Sequence, residues 1–237
     1  MINRSGLCLI ADIMGYSNII KNLNDTELDS RISAWVDLIR ALTKECGIKN
    51  YQLLSDTLFV YFPQPIDLNN AIRFSRNLIE QCTKKQIPLR GAVTYGEIVW
   101  GEFIYGKAVI AAHHLETSQN WLGVVFDKNI PNISDHYGAN KLIQYIPPLK
   151  GGNAEFYPVI SWEVPEVKEL AKCLHGPGLG DAEGRVSQRE LEILTNVSLF
   201  KTYRNIAIFN KVDFKEWCGY PPSHLVEQLE NLILNKP

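Results

Sequence analysis

Leu7 to Ala11 form an unbroken apolar run that stops at Asp12, and Gly15 follows three residues later. A run of that length reads as a buried strand over 7–12, and the glycine permits a tight turn into a helix start. Asn24 and Asp25, with Glu27 behind them, carry helix-start chemistry. Ile32, Trp35, Val36, Ile39, Leu42 and Cys46 then recur at helical spacing until Gly47 ends the run. Residues 51–54 and 57–62 are strand-like runs around Ser55-Asp56, the pattern of a hairpin. Asp67 is placed to cap a second helix with the stripe Ala71, Ile72, Ser75, Leu78, Ile79 and Cys82. Residues 89–95 and 97–103 read as two more strands hinged at Gly96, followed by a helix over about 107–119 and a strand at 122–126. The order strand, helix, strand, strand, helix, strand is the split βαβ pattern of a ferredoxin-like α+β sheet, expected to carry its helices on one face.

Past Pro165 the pattern changes. His175 to Gly184 contains four glycines among ten residues and reads as a connector, since it lacks lysine and phosphate-loop spacing. Residues 187–237 read as a helical extension anchored by Trp217, Leu225, Leu229 and Leu232. The expected organisation is therefore a domain over 1–165 and an appendage over 166–237.

Composition narrows the function. The chain has 237 residues, 46% of them hydrophobic, enough for one large core. A net charge of −2 argues against a nucleic-acid or anionic-membrane binder. The five cysteines are scattered without metal-site spacing, which points to reduced thiols and a cytoplasmic setting. Asp12 interrupts the apolar N-terminal run, so no membrane span is expected there.

The candidate chemistry lies in two carboxylates. Asp12 ends a strand and Asp56 sits between two apolar runs, and a pair of aspartates in such positions can hold divalent metals over a nucleoside triphosphate. Backbone N–H groups from Met14 through Gly15, Tyr16 and Ser17 are placed to face phosphates. Arg90 and Lys150 offer cationic contacts to the same group, although a salt bridge accounts for either equally well.

Five ordered stretches over about residues 5–160 resemble the class III nucleotidyl cyclase catalytic domain. They are Ala11-Asp12-Ile13-Met14-Gly15-Tyr16-Ser17, Leu54-Ser55-Asp56, Leu89 to Glu97, Tyr105 to Glu116, and Leu149-Lys150-Gly151-Gly152. The resemblance implies a homodimer with shared active sites. It also implies two Mn²⁺ or Mg²⁺ ions held by Asp12, Asp56 and the backbone carbonyl of Ile13. Departures from the family are equally specific. Gln52, preceded by Tyr51, stands where purine cyclases place a charged base-reading residue, and apolar Phe103 falls near the other base-reading position. Ile110 replaces the transition-state asparagine and His114 the arginine, leaving His114 as the candidate for stabilising developing charge.

Retained aspartates with a lost purine code resemble the Pycsar pyrimidine cyclases of bacterial antiphage defence. That likeness implies cyclic UMP or cyclic CMP as a messenger for a separate effector. Tyr51 or Phe103 can stack on the smaller ring, and the Gln52 amide matches uracil or, flipped, cytosine. UTP is the expected substrate. CTP, a purine nucleotide, and a catalytically silent nucleotide sensor follow in that order.

Overall fold

The computed structural model describes residues 2–151, 155–175 and 187–209. Seven strands form one sheet: β1 (Ile2–Ile13), β2 (Tyr51–Leu54), β3 (Thr57–Pro63), β4 (Leu89–Trp100), β5 (Gly123–Phe126), β6 (Leu142–Tyr145) and β7 (Tyr157–Ile160). Their spatial order is β2-β3-β1-β4-β5-β7-β6. The helices are α1 (Tyr16–Asn22), α2 (Asp25–Glu45), α3 (Leu68–Lys84), α4 (Lys107–Ser118), α5 (Val167–His175) and α6 (Gln188–Phe209). The α+β class matches the sequence expectation, and so does the element order through β5 apart from the strand pair expected over 89–103.

Both predicted caps form. Asn24 accepts from the backbone N–H of Glu27 at 3.0 Å, and Asp67 accepts from that of Asn70 at 3.0 Å. Each satisfies a donor that the first helical turn leaves orphaned.

Two expectations are corrected. Residues 89–100 are one continuous strand, without a hinge at Gly96, because the twelve-residue β1 pairs along the whole of β4 and sets Gly6 opposite Gly96. A continuous partner satisfies the backbone on both sides of the glycine, so no reversal is needed there. The helices also do not share one face. Leu7, Leu9 and Ala11 of β1 pack with α2 and α3, whereas Cys8 and Ile10 pack with Ala108 and Ala112 of α4. Strand alternation sends successive residues to opposite faces, and both faces of β1 are apolar.

The main core takes in α5 and α6 through Leu170, Cys173, Leu174, Ile193, Val197 and Phe200. Phe200 packs edge-on against Trp121 and Tyr145, with ring centroids 5.0 and 5.1 Å apart. The described part of the C-terminal extension is thus continuous with the core beneath the sheet. The glycine-rich connector beyond His175, together with Trp217, Leu225, Leu229 and Leu232, lies outside the described residues.

The α4 face of the sheet is thinly covered. Phe103 is 66% exposed and Ile110 60%, with Leu54 and Tyr105 also open to solvent. No helix among the described residues is long and apolar enough to cross a membrane. Cys8, Cys46, Cys82 and Cys173 are buried free thiols, and burial pushes Cys8 up to about 12.

Candidate active site

Strand register builds the site. Asp12, near the end of β1, lies opposite Thr57 on β3 and opposite Arg90 on β4. Residues paired across strands share a face, so all three lie on the α4 side with Cys8 and Ile10. Leu54 pairs with Thr57, which leaves Ser55-Asp56 as a two-residue hairpin loop with Ser55 at φ 57°. That tight loop swings Asp56 back toward Asp12.

The two carboxyls meet. Burial, followed by the repulsion of Asp56, pushes Asp12 above the usual carboxylate range. The Thr57 hydroxyl opposes this by donating to Asp12 Oδ1 at 3.0 Å. Two acids in mutual contact must share a proton or take a cation. A hard divalent ion is suited to such a donor set, since it commonly uses one or two carboxylates and takes its other oxygens from backbone, water and phosphate. The residues present therefore fit a carboxylate-bound Mn²⁺ or Mg²⁺. Among the described residues no group of three or more His, Cys, Asp or Glu is placed to hold a metal ion.

The chain turns sharply after Asp12. Met14 is buried and its N–H donates to the Pro88 carbonyl at 2.7 Å, and Gly15 takes φ 77°, which leads into α1. A left-handed conformation of that kind suits glycine and strains other residues. The Met14 N–H is thus already satisfied within the chain. Tyr16 lies on the helix side of the turn beside Ile13 and Trp35, while Ser17 is exposed.

Arg90 has an internal role that its sequence position does not reveal. Its Nε donates to the Glu116 carboxylate, its Nη1 to the carbonyls of Gln119 at 3.2 Å and Thr117 at 3.5 Å, and its Nη2 lies 3.7 Å from Asp12 Oδ2. Glu116 is only 2% exposed, and burial lifts its carboxyl to about 7 despite the opposing pull of Arg90. Gln119 is locked in turn, donating to the Gly91 and Leu115 carbonyls and accepting from Trp121 Nε1 at 3.0 Å. Lys150 sits at the same end of α4, its Nζ donating to the Thr117 carbonyl at 3.1 Å. Burial and the nearby Arg90 lower its pKa.

The base-reading candidates divide between the two faces. Gln52 pairs with Phe59 on the α4 side, and its Nε2 donates to the Gly101 carbonyl at 2.8 Å, in the loop that carries Phe103. Gln52 therefore reaches the loop that carries the exposed Phe103. Tyr51 pairs with Val60 and packs into the main core on the opposite face, so it cannot stack on a base that Gln52 reads. His114 and Ile110 occupy the outer side of α4, one turn apart, while Ala108, Ala112 and Glu116 point inward. His114 lines a groove of about 320 Å³ with Asp127, Lys128 and Leu149 and faces away from its own Asp12.

Thr57, Glu116 and Gln119 were not singled out by the sequence reading. Glu116 had a signal: it continues the buried stripe Ala108–Ala112 at helical spacing, and an acid in such a stripe needs a buried cation. Thr57 becomes visible only once β1 and β3 are placed in register.

No known protein-family profile matches the chain, and no curated protein does. Solved structures do match. The adenylyl cyclase CyaB from P. aeruginosa superposes with a TM-score of 0.53 at 15% identity, over 70% of this chain and 97% of that one. The guanylate cyclase domain of RhGC from Catenaria anguillulae, in complex with GTP, gives 0.52 at 14% identity, over 66% and 96%. The catalytic core of a rhodopsin-guanylyl cyclase with converted specificity, in complex with ATPalphaS, gives 0.54 at 16% identity, over 66% and 96%. The chain has the fold of an adenylyl and guanylyl cyclase catalytic domain.

Proposed function

We propose that the protein is a metal-dependent pyrimidine nucleotide cyclase that converts UTP to cyclic UMP and pyrophosphate. The observation that carries this reading is the meeting of Asp12 and Asp56 at the end of β1 in a cyclase fold. Like charges in contact at half-buried positions are costly, and a resident divalent cation gives them a reason to be there.

Asp12, Asp56 and the Ile13 carbonyl would hold two Mn²⁺ or Mg²⁺ ions. When bound, these supply acidification of the ribose 3′-hydroxyl and neutralisation of the triphosphate. The chain's own residues do the rest. The turn from Met14 to Ser17 and the Lys150 ammonium lie on the phosphate side. Gln52 reads the pyrimidine edge and Phe103 stacks on the ring, with Tyr51 left to the core. The outward direction of His114 fits a site shared between two copies, in which each α4 serves the neighbouring Asp12. The exposed Leu54, Phe103, Tyr105 and Ile110 give that homodimer an apolar face. On this reading the protein works in the cytoplasm. Its cyclic nucleotide switches on a separate antiviral effector, with no contact to nucleic acid or membrane.

The test is direct. The purified chain is incubated with Mn²⁺ and equal UTP, CTP, ATP and GTP, and products are identified by mass. Cyclic UMP is expected to dominate, because a site built on polar edge contacts rejects a base that leaves them unpaired. Dominant cyclic CMP moves the assignment to CTP, dominant cyclic AMP or cyclic GMP makes the protein a purine cyclase, and no product favours a silent nucleotide sensor.

A further inference from the structure

Arg90 is held on three sides before it reaches Asp12. Its Nε is taken by Glu116 and its Nη1 by the Gln119 and Thr117 carbonyls at the end of α4. Its Nη2 is left 3.7 Å from Asp12 Oδ2. A guanidinium is a rigid planar fork, so anchoring two nitrogens fixes the direction of the third. An arginine tied down in this way has little freedom to follow a triphosphate. Meanwhile Asp12 is held on Oδ1 by the Thr57 hydroxyl, and its Oδ2 lies within ion-pair range of Arg90.

A lone cation beside a metal-binding carboxylate would repel the metal. Glu116 removes that conflict, because its buried carboxylate, once ionised, cancels the Arg90 charge while leaving the fork in place. Groups of this kind behind a metal ligand set its orientation and basicity.

We propose that Arg90 and Glu116 form a positioning pair for Asp12, in which Glu116 anchors and charge-compensates Arg90, and Arg90 orients the carboxylate toward a divalent cation. The inference rests on the metal reading above and deepens it. It gives Arg90 a role other than a phosphate contact, and it gives Glu116 a function beyond packing.

The test uses the full chain. Mn²⁺ binding without nucleotide is followed by electron paramagnetic resonance, and turnover is measured separately with Mn²⁺ and nucleotide each varied. Glu116→Gln keeps an acceptor for Arg90 but leaves its positive charge uncompensated. Arg90→Lys keeps the positive charge but loses the planar fork, so it carries the test of the pair if Glu116→Gln does not fold. Thr57→Val is isosteric, frees the other oxygen of Asp12 without touching the buried pair and serves as the comparison. Mn²⁺ affinity is expected to fall about 10- to 100-fold in Glu116→Gln, and in the same direction but less in Thr57→Val. At saturating Mn²⁺ the KM for nucleotide should change by less than about three-fold. Wild-type Mn²⁺ affinity in Glu116→Gln, or in Arg90→Lys where Glu116→Gln does not fold, overturns the proposal. So does a raised nucleotide KM with Mn²⁺ binding intact, which would make Arg90 a triphosphate contact. A wild-type chain that binds Mn²⁺ but makes no cyclic nucleotide sinks the cyclase reading and leaves the positioning pair standing. A wild-type chain that binds no Mn²⁺ overturns both.

Discussion

Phe200→Ala tests whether α6 is part of the catalytic core or a detachable tail. Phe200 is fully buried and packs edge-on against both Trp121 and Tyr145. Truncating a buried phenylalanine costs about 3–5 kcal/mol through lost transfer energy and the cavity left behind. Each well-oriented aromatic pair adds about 0.5–1.5 kcal/mol to the area term, which favours the upper half of that range here. The expected loss is therefore about 4 kcal/mol, or a fall in Tm of about 8–16 °C for a domain of this size. Phe209 on the same helix is 85% exposed, so Phe209→Ala should cost less than about 0.5 kcal/mol and serves as the control. Urea unfolding followed by far-ultraviolet circular dichroism gives both values, with the m-value as a check on two-state behaviour. The consequence extends to the site, because Trp121 fixes Gln119, and the Gln119 carbonyl helps hold Arg90. A loss below about 1.5 kcal/mol for Phe200→Ala would refute the argument, since a fully buried ring in a single core falls within the larger range.

Asp12→Asn and Asp56→Asn should each lower turnover by orders of magnitude in the product assay. Without metal, Asp12→Asn should melt no lower than wild type, because burial and Asp56 already disfavour the ionised carboxylate; a clear loss of Tm would contradict that. Stability should also depend on pH in a stated direction. Glu116 is lifted to about 7, so between the ordinary glutamate value and pH 7 the folded chain keeps a proton that the unfolded chain has lost. Stability from this group is present below that window and disappears as pH rises through it, and the raised Asp12 acts with the same sign. Metal-free Tm should fall as pH rises from about 5 to about 7.5, and Glu116→Gln should flatten the slope; an equal slope in both proteins would exclude Glu116 as its source. Finally, Ile110→Asp on the open α4 face should give a monomer by light scattering and lower activity per chain, whereas an active monomeric wild type would rule out shared sites.

Local sequence determined the elements whose signals are short in range. The Asn24 and Asp67 caps, the apolar stripes of α2 and α3 and the Ser55-Asp56 hairpin were legible because each depends on residues within a few positions. The same holds for Asp12 at a strand end before a glycine turn. The C-terminal strands β6 and β7 were not legible: they are four residues each and pair antiparallel within the sheet, a long-range event without a periodic signature. Gly96 was misread as a hinge because a glycine inside an apolar run marks a turn only when no partner strand runs past it, and β1 does. Tertiary structure alone decided the site's inner arrangement. Tyr51 and Gln52 are adjacent in sequence, yet strand alternation sets them on opposite faces, and only the sheet says which face carries α4. Asp12, Thr57, Arg90 and Glu116 span more than a hundred positions and meet because three paired strands and one helix bring them to the same few ångströms. Sequence specifies which groups can carry charge, while register, burial and the fixed geometry of a guanidinium fork decide which of those charges face one another.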